Sequence, residues 1–303
     1  MAPPPDTAAP QVVPVQPASP LWRQHRWIPA AVRRLFDRRV PSVGLAVVGH
    51  GTADPVGADE TRAVAGLVGG MLPGVAIEAG FLEVIGPTIA DALQRLADRG
   101  CSEVVAAPLL LFTAGHARRD VPEAVREGAA RAGLVVRQAA ALGCHPALVS
   151  LSRMRRREAT AGLPPVPAEE TVLLLVGRGA SDPSAPAQLQ EFAAAVLGPA
   201  DDAADGVGRL ELGFVAAARP TLAEAIGAAA TTPGGARPVR RVIVQPHLLF
   251  RGHVEEQVTA AVEEARRRHP GIEWVQTRRL GADPLVARAV VDRASAVAAA
   301  AWT

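Results

Sequence analysis

Residues 48 to 55, Val-Gly-His-Gly-Thr-Ala-Asp-Pro, return at 176 to 183 as Val-Gly-Arg-Gly-Ala-Ser-Asp-Pro. Other landmarks return in the same order. Phe81 with Pro87 and Thr88 returns as Phe214 with Pro220 and Thr221. The run Pro108 to Phe112, Pro-Leu-Leu-Leu-Phe, returns at 246 to 250 as Pro-His-Leu-Leu-Phe. Gly115 and His116 return as Gly252 and His253, and Leu142-Gly143 with Pro146 as Leu280-Gly281 with Pro284. Ordered matches of this kind are the signature of a duplicated folding unit, so whatever one half folds into, the other must fold into as well. Two like units pack naturally about a pseudo-twofold relation, and the cleft between them is the default place for a ligand.

Each copy reads as strands alternating with helices. In the first, Val43–Val48, Val75–Phe81, Glu103–Leu111 and Leu134–Ala140 are short apolar runs of the kind that form buried strands. Gly57–Leu72 and Val121–Ala132 read as helices. So does the segment opened by Pro87 and stopped by Gly100, with Ile89, Leu93 and Leu96 at helical spacing, and Pro146 opens another. The order βαβαβαβα predicts a mainly parallel sheet with helices on both faces. The expected fold is α/β, with one domain at 42–158, a second at 171–303, and a linker at 159–170.

Residues 1–41 are recurrently interrupted by Pro, from Pro3 to Pro41, which keeps the first twenty extended, and they read as a disordered leader. Within it, Leu21–Val40 mixes Trp22, Trp27, Leu35 and Phe36 with Arg23, Arg26, Arg33 and Arg34. That composition suits a helix contacting a membrane surface or a partner, but segments of this kind more often simply dock as a short helix on their own domain.

Composition removes several chemistries. All 32 basic residues are Arg, because the sequence holds no Lys. A Walker loop, a pyridoxal Schiff base and Ser-x-x-Lys acyl transfer all need that amine, so no nucleotide site of the Walker type is expected. Two cysteines, Cys101 and Cys144, cannot supply the four thiolates of an iron–sulfur cluster, and they suggest a reducing, cytoplasmic setting. No apolar run is long enough for a transmembrane segment. A net charge of +2 does not argue for a nucleic-acid partner, although arginines gathered on one rim would still attract a small polyanion.

The candidate chemistry lies just beyond the carboxyl ends of the expected strands, where open α/β sheets place ligands. His50 follows the first strand between Gly49 and Gly51, Glu83 follows the second, and His116 follows the third. Two imidazoles and a carboxylate suit a divalent first-row metal with open coordination positions. A lone His or Glu of this kind is usually an ordinary surface, core or capping residue, but the repeat supplies a control. The second copy has Arg178 for His50 and Ala216 for Glu83, keeping His253 alone, so a purely structural role for the trio is disfavoured and one metal site per chain is expected.

The same control demotes His145, which matches Asp283 before a Pro, and the pair Asp54 and Asp182: all read as helix caps. His247 replaces Leu109 and reads as a satisfied core histidine. Arg118, Arg119, Arg178 and Arg251 flank the expected cleft rim, as contacts for an anionic substrate or as ordinary surface arginines paired to Asp120 or Glu255.

The motifs Gly-His-Gly-Thr-x-Asp-Pro at 49–55, Phe-Leu-Glu at 81–83 and Pro-Leu-Leu-Leu-Phe-x-x-Gly-His-x-x-x-Asp-Val-Pro at 108–122 resemble those of the CbiX/SirB sirohydrochlorin chelatases. The Gly-Arg-Gly start of the second copy is similar to the two-domain members, whose second half is non-catalytic. The resemblance implies two tandem chelatase-like domains around a cleft. It further implies a lyase that inserts Co2+ or Fe2+ into sirohydrochlorin, toward cobalamin or siroheme. By position, His50 and His116 would bind metal and accept protons, and Glu83 would assist. Sirohydrochlorin is rich in carboxylates, which gives the rim arginines a partner. A carrier that binds metal or tetrapyrrole without catalysis is the rival expectation. The Pro-rich leader lies outside the family pattern, as does the absence of the His-rich stretch and Cys-x-x-Cys cluster of some long cobalt-specific members.

Overall fold

The computed structural model describes residues 42–112, 119–182, 184–198, 206–234 and 237–300. The expectations for the leader, for His116 and for Arg118 therefore lie outside the described residues. The first half runs β1 (Ser42–Gly49), α1 (Pro55–Met71), β2 (Ile77–Phe81), α2 (Ile89–Asp98), β3 (Cys101–Pro108), α3 (Asp120–Ala132), β4 (Val135–Gln138), α4 (Pro146–Thr160). The second runs β5 (Thr171–Gly177), α5 (Ser184–Leu197), β6 (Arg209–Phe214), α6 (Leu222–Ala230), β7 (Arg241–Pro246), α7 (His253–Arg268), β8 (Glu273–Gln276), α8 (Pro284–Ala300). The sheets have matching orders, β2-β1-β3-β4 and β6-β5-β7-β8, and every strand pair is parallel.

Of the boundaries that differ from the sequence reading, two bear on the site. Pro87 does not open α2: its carbonyl accepts from Phe81 N at 2.9 Å, and the helix starts at Ile89 behind Thr88. Thr88 and Asp91 form a reciprocal capping box, repeated by Thr221 and Glu224 before α6. The third strand stops at Pro108 rather than Leu111, because the chain leaves the sheet there to line a cleft.

Strand alternation sorts the core into layers. On β1, Ala46 and Val48 face α2 and α3, joining Leu93, Leu96 and Val125, while Leu45 and Val47 face the interior with Val64 and Val68 of α1. On β5, Val172, Leu174 and Val176 face α6 and α7, while Leu173 and Leu175 join that same interior. One apolar core thus spans both halves, with a sheet on each side and α2, α3, α6 and α7 outside.

The last helix of each half packs on the other half. α8 lies against α1, β3 and β4, whereas α4 lies against α5 and β8. Gln245 of β7 donates to Ser152 of α4 at 2.7 Å (backbone O) and 2.9 Å (Oγ), both residues being buried. Arg155, the tenth residue of α4, donates to Leu280 O at 2.8 Å. Arg293, the tenth of α8, donates to Leu142 O at 2.9 Å. Leu142 and Leu280 are equivalent in the repeat, so the exchange is reciprocal and follows the pseudo-twofold relation. Neither half closes its core without the other.

Candidate functional site

The carboxyl ends of both sheets open onto one cleft of about 500 Å³, a size typical of small-molecule sites. His50, Thr52 and Leu109 to Phe112 line it from the first half, and Arg178, Ala216, His247 and Arg251 from the second.

Backbone lacing builds the first wall. Leu82 N donates to Gly49 O at 3.0 Å and Glu83 N to His50 O at 3.1 Å, tying the loop after β2 to the loop after β1. Gly51 makes this possible: its φ is +102°, and a Cβ there would stand 1.9 Å from Glu83 O. Val84, next in the chain, sits at φ +71°, a left-handed conformation that costs a β-branched residue on the order of 1–3 kcal/mol. The result places His50 Nδ1 3.4 Å from Glu83 Oε1, with side-chain exposures of 35% and 58%. That separation is longer than a good charge-assisted hydrogen bond, so neither group is consumed by the other. Imidazole and carboxylate thus face solvent together, available to an incoming divalent cation.

The second half keeps this scaffold and removes its chemistry. Val215 N donates to Gly177 O at 3.1 Å and Ala216 N to Arg178 O at 2.9 Å. Gly179 has φ +84°, and its Cβ would meet Ala216 O at 1.8 Å. Ala217 repeats the left-handed residue at φ +52°. Arg178 stands where His50 stands and Ala216 where Glu83 stands. Among the described residues no cluster of three or more His, Cys, Asp or Glu is poised for a metal; His50 and Glu83 are a pair, and the third sequence candidate, His116, falls outside those residues.

Of the rim arginines, Arg178 is exposed and lines the cleft. Arg251 lines it too, with Nε 3.3 Å from Asp54 Oδ2 and its backbone N–H donating to Glu60 Oε2 at 2.8 Å. Its acidic partner is thus Asp54 of the first half rather than Glu255, which pairs with Arg279. Arg119 begins α3 and is absent from the cleft lining. His253, 80% exposed, pairs with Glu256 at the start of α7 and lies outside the cleft lining.

The capping roles hold. Asp54 Oδ1 accepts from Val56 N at 2.9 Å and Gly57 N at 3.2 Å, and Asp182 Oδ1 accepts from Ser184 N at 2.9 Å. His145 Nδ1 accepts from Ala147 N at 3.2 Å, and Asp283 Oδ1 from Leu285 N at 2.9 Å. Burial lowers the His145 pKa, opposed by Asp292, which keeps Nδ1 an acceptor.

Sequence reasoning missed two features. His247 is buried as expected but makes no side-chain hydrogen bond to a described residue and lines the cleft. Arg279 joins the halves at the cleft's edge: it pairs with Glu60 of α1 and, at 2.9 Å, with Glu255 of α7. Burial alone would lower the Arg279 pKa, but the two carboxylates outweigh it and raise the value. A polar residue replacing Leu109 was the available signal for His247; nothing local marks Arg279.

Fold and site together define a class, a duplicated α/β protein whose shared cleft presents the imidazole of His50 on one wall and the guanidinium groups of Arg178 and Arg251 on the other. The chain belongs to the CbiX family, whose model matches residues 44–159 and 172–297. It is 25% identical over 248 residues, 82% of this chain and 77% of the relative, to the sirohydrochlorin cobaltochelatase of Priestia megaterium. It is 30% identical over 188 residues, 62% of this chain and 65% of the relative, to the sirohydrochlorin ferrochelatase of the same organism. The solved structure of SirB from Bacillus subtilis with Fe3+ shares the fold, with a TM-score of 0.72 at 24% identity over 86% of this chain and 96% of that one. No helix among the described residues is long and apolar enough to cross a membrane.

Proposed function

We propose that this chain is a metal chelatase that inserts Co2+ or Fe2+ into sirohydrochlorin. The observation that carries the reading is the donor pair His50–Glu83, partly exposed beside a cleft that His50 lines and whose opposite wall presents Arg178 in the equivalent place. Membership of the CbiX family and the names of the two Priestia relatives support it.

Insertion replaces two pyrrolic protons by a divalent cation. The metal must therefore be held loosely enough to leave, and the protons need acceptors. His50 and His116 serve as ligands and proton acceptors, since a neutral imidazole can do either near neutral pH. Glu83 offsets the cation's charge or relays a proton. Partial exposure of His50 and Glu83 keeps the metal exchangeable, as a delivered substrate requires. Arg178 and Arg251 meet the macrocycle's carboxylates, and guanidinium suits that task through paired N–H donors. The metal choice between cobalt and iron follows availability more than these few ligands.

The test is a spectral insertion assay with sirohydrochlorin and Co2+, Fe2+ and Ni2+ in parallel. Conversion faster than the uncatalysed control is expected, with His50→Ala and His116→Ala inactive. Binding of both ligands with no rate enhancement would make the protein a carrier, and full activity in both variants would make the site assignment wrong.

A further inference from the structure

Among the described residues that line the cleft, one titratable side chain is not used by the proposed reaction. His247 follows β7 on the second-half wall, where the first half has Leu109. Its backbone N–H donates to Val176 O at 2.8 Å. Its ring is held by Phe192, with centroids 4.1 Å apart, and by Phe112 of the other half, at 5.2 Å. The residue is 3% exposed, yet it lines the cleft and its ring makes no hydrogen bond to a described residue. The ring nitrogens are not fully enclosed, so an imidazole with no partner in the wall is left to meet whatever enters the cleft. Leucine at this place in the other copy shows that the fold does not demand an imidazole.

Burial holds the His247 pKa down at about 3, so the ring is neutral under ordinary conditions. A neutral ring offers one acceptor nitrogen, yet it is too weak a base to keep a proton. Its natural occupant is a polar N–H that keeps its hydrogen. Peripheral carboxylates are better met by Arg178 and Arg251 at the rim. The inner N–H groups of a metal-free tetrapyrrole fit the remaining requirement, since distortion of the macrocycle tilts them out of its plane toward a wall.

We propose that His247 accepts a hydrogen bond from an inner pyrrolic N–H of the bound tetrapyrrole, and so positions the metal-free macrocycle in the cleft. This rests on the reading that the cleft takes sirohydrochlorin. Metal insertion removes the inner N–H groups, so His247 loses its partner when product forms and binding then favours substrate over product.

The experiment is equilibrium titration of the metal-free protein with sirohydrochlorin and, separately, with cobalt-sirohydrochlorin, in the wild type, His247→Leu and His247→Gln. His247→Leu matches the residue of the other half, and a thermal melt verifies its fold. It is expected to weaken sirohydrochlorin binding about 5- to 30-fold, the effect of stranding one donor, and to change cobalt-sirohydrochlorin binding less than about 2-fold. His247→Gln, which retains an acceptor, recovers part of the loss. Equal losses for both ligands would make His247 mere wall packing. A loss confined to the cobalt form would make it a metal ligand, and no loss would place it away from the macrocycle; each overturns the proposal. A wild type that binds neither ligand would instead overturn the reading of the cleft itself.

Discussion

Gly51 and Gly179 provide matched lesions with different expected consequences. Replacing either by Ala sets a Cβ under 2 Å from a carbonyl oxygen, that of Glu83 in one half and Ala216 in the other. Each carbonyl must retreat by about 1.5 Å to reach an ordinary contact, and each Ala must hold a positive φ. The positive φ costs roughly 1–2 kcal/mol and the crowding roughly 1–3, so each variant should lose about 2–5 kcal/mol. At about 2–4 °C per kcal/mol, both melts should fall by roughly 4–20 °C and by similar amounts. Function should separate them. In Gly51→Ala the displaced loop carries Glu83 away from His50, and a shift of that size is expected to lower kcat about 100-fold. In Gly179→Ala the displaced loop carries no metal donor. There kcat should stay within about 3-fold while KM rises as Arg178 moves. Melting by circular dichroism and initial rates of cobalt insertion, taken well below both midpoints, decide the matter. Equal loss of kcat in the two variants would show that lacing in the first half has no special role, and full kcat in Gly51→Ala would refute the argument outright.

Three further outcomes follow from the site and its supports. His50→Ala and His116→Ala should each lower the insertion rate by at least about 100-fold, the usual weight of a positioned acid–base group, while leaving the melting curve nearly unchanged. Arg279→Ala should cost about 2–4 kcal/mol in urea unfolding, because Glu60 and Glu255 would face each other half-buried with no cation between them; adding Glu60→Gln should restore part of the loss, and a strictly additive double variant would contradict this. His247 sets a pH dependence whose sign is fixed: its folded pKa of about 3 lies below the ordinary value of 6.5, so the unfolded chain takes the proton first. Its contribution is complete above pH 6.5 and declines as pH falls toward 3. Between pH 6.5 and 5 the wild type should lose about 2 kcal/mol more than His247→Leu, and parallel pH profiles would refute it.

Much of the fold was legible because duplication doubles every signal. The strand-and-helix order, the parallel sheets and the capping roles of Asp54, His145 and Asp283 come from periodicity and from short-range spacing, both local properties. Errors came where local and tertiary demands compete. Pro87 carries a helix-start signal, yet its carbonyl is taken by Phe81 and the start passes to Thr88. Leu109 to Leu111 look like strand, yet the sheet ends at Pro108 and they become cleft wall. Pro146 and its repeat Pro284 marked the starts of α4 and α8 but could not say which sheet each would cover, because both halves offer an apolar face of the same kind. His50 and Glu83 were legible as candidates through their absence from the second copy. Their separation depends on hydrogen bonds between two loops, which no spacing along the chain records.

The retained lacing around Gly179 argues for a division of labour between the halves. A wall needs its shape whether or not it carries ligands, and the paired loops give each sheet edge the same contour. The second half therefore keeps the glycine, the loop-to-loop hydrogen bonds and a left-handed residue, and replaces His50 by Arg178 and Glu83 by Ala216. A single metal entering a single macrocycle needs donors on one side alone, and a second donor pair opposite would compete for the ion. Cations serve better there. Asp54 joins the two walls: one carboxylate oxygen caps α1 by accepting from Val56 and Gly57, and the other lies 3.3 Å from Arg251 of the opposite half. A capping residue whose local role is plain in both copies thus also fixes a rim guanidinium in the first copy. Placement of that charge is a property of the assembled pair of halves rather than of either one.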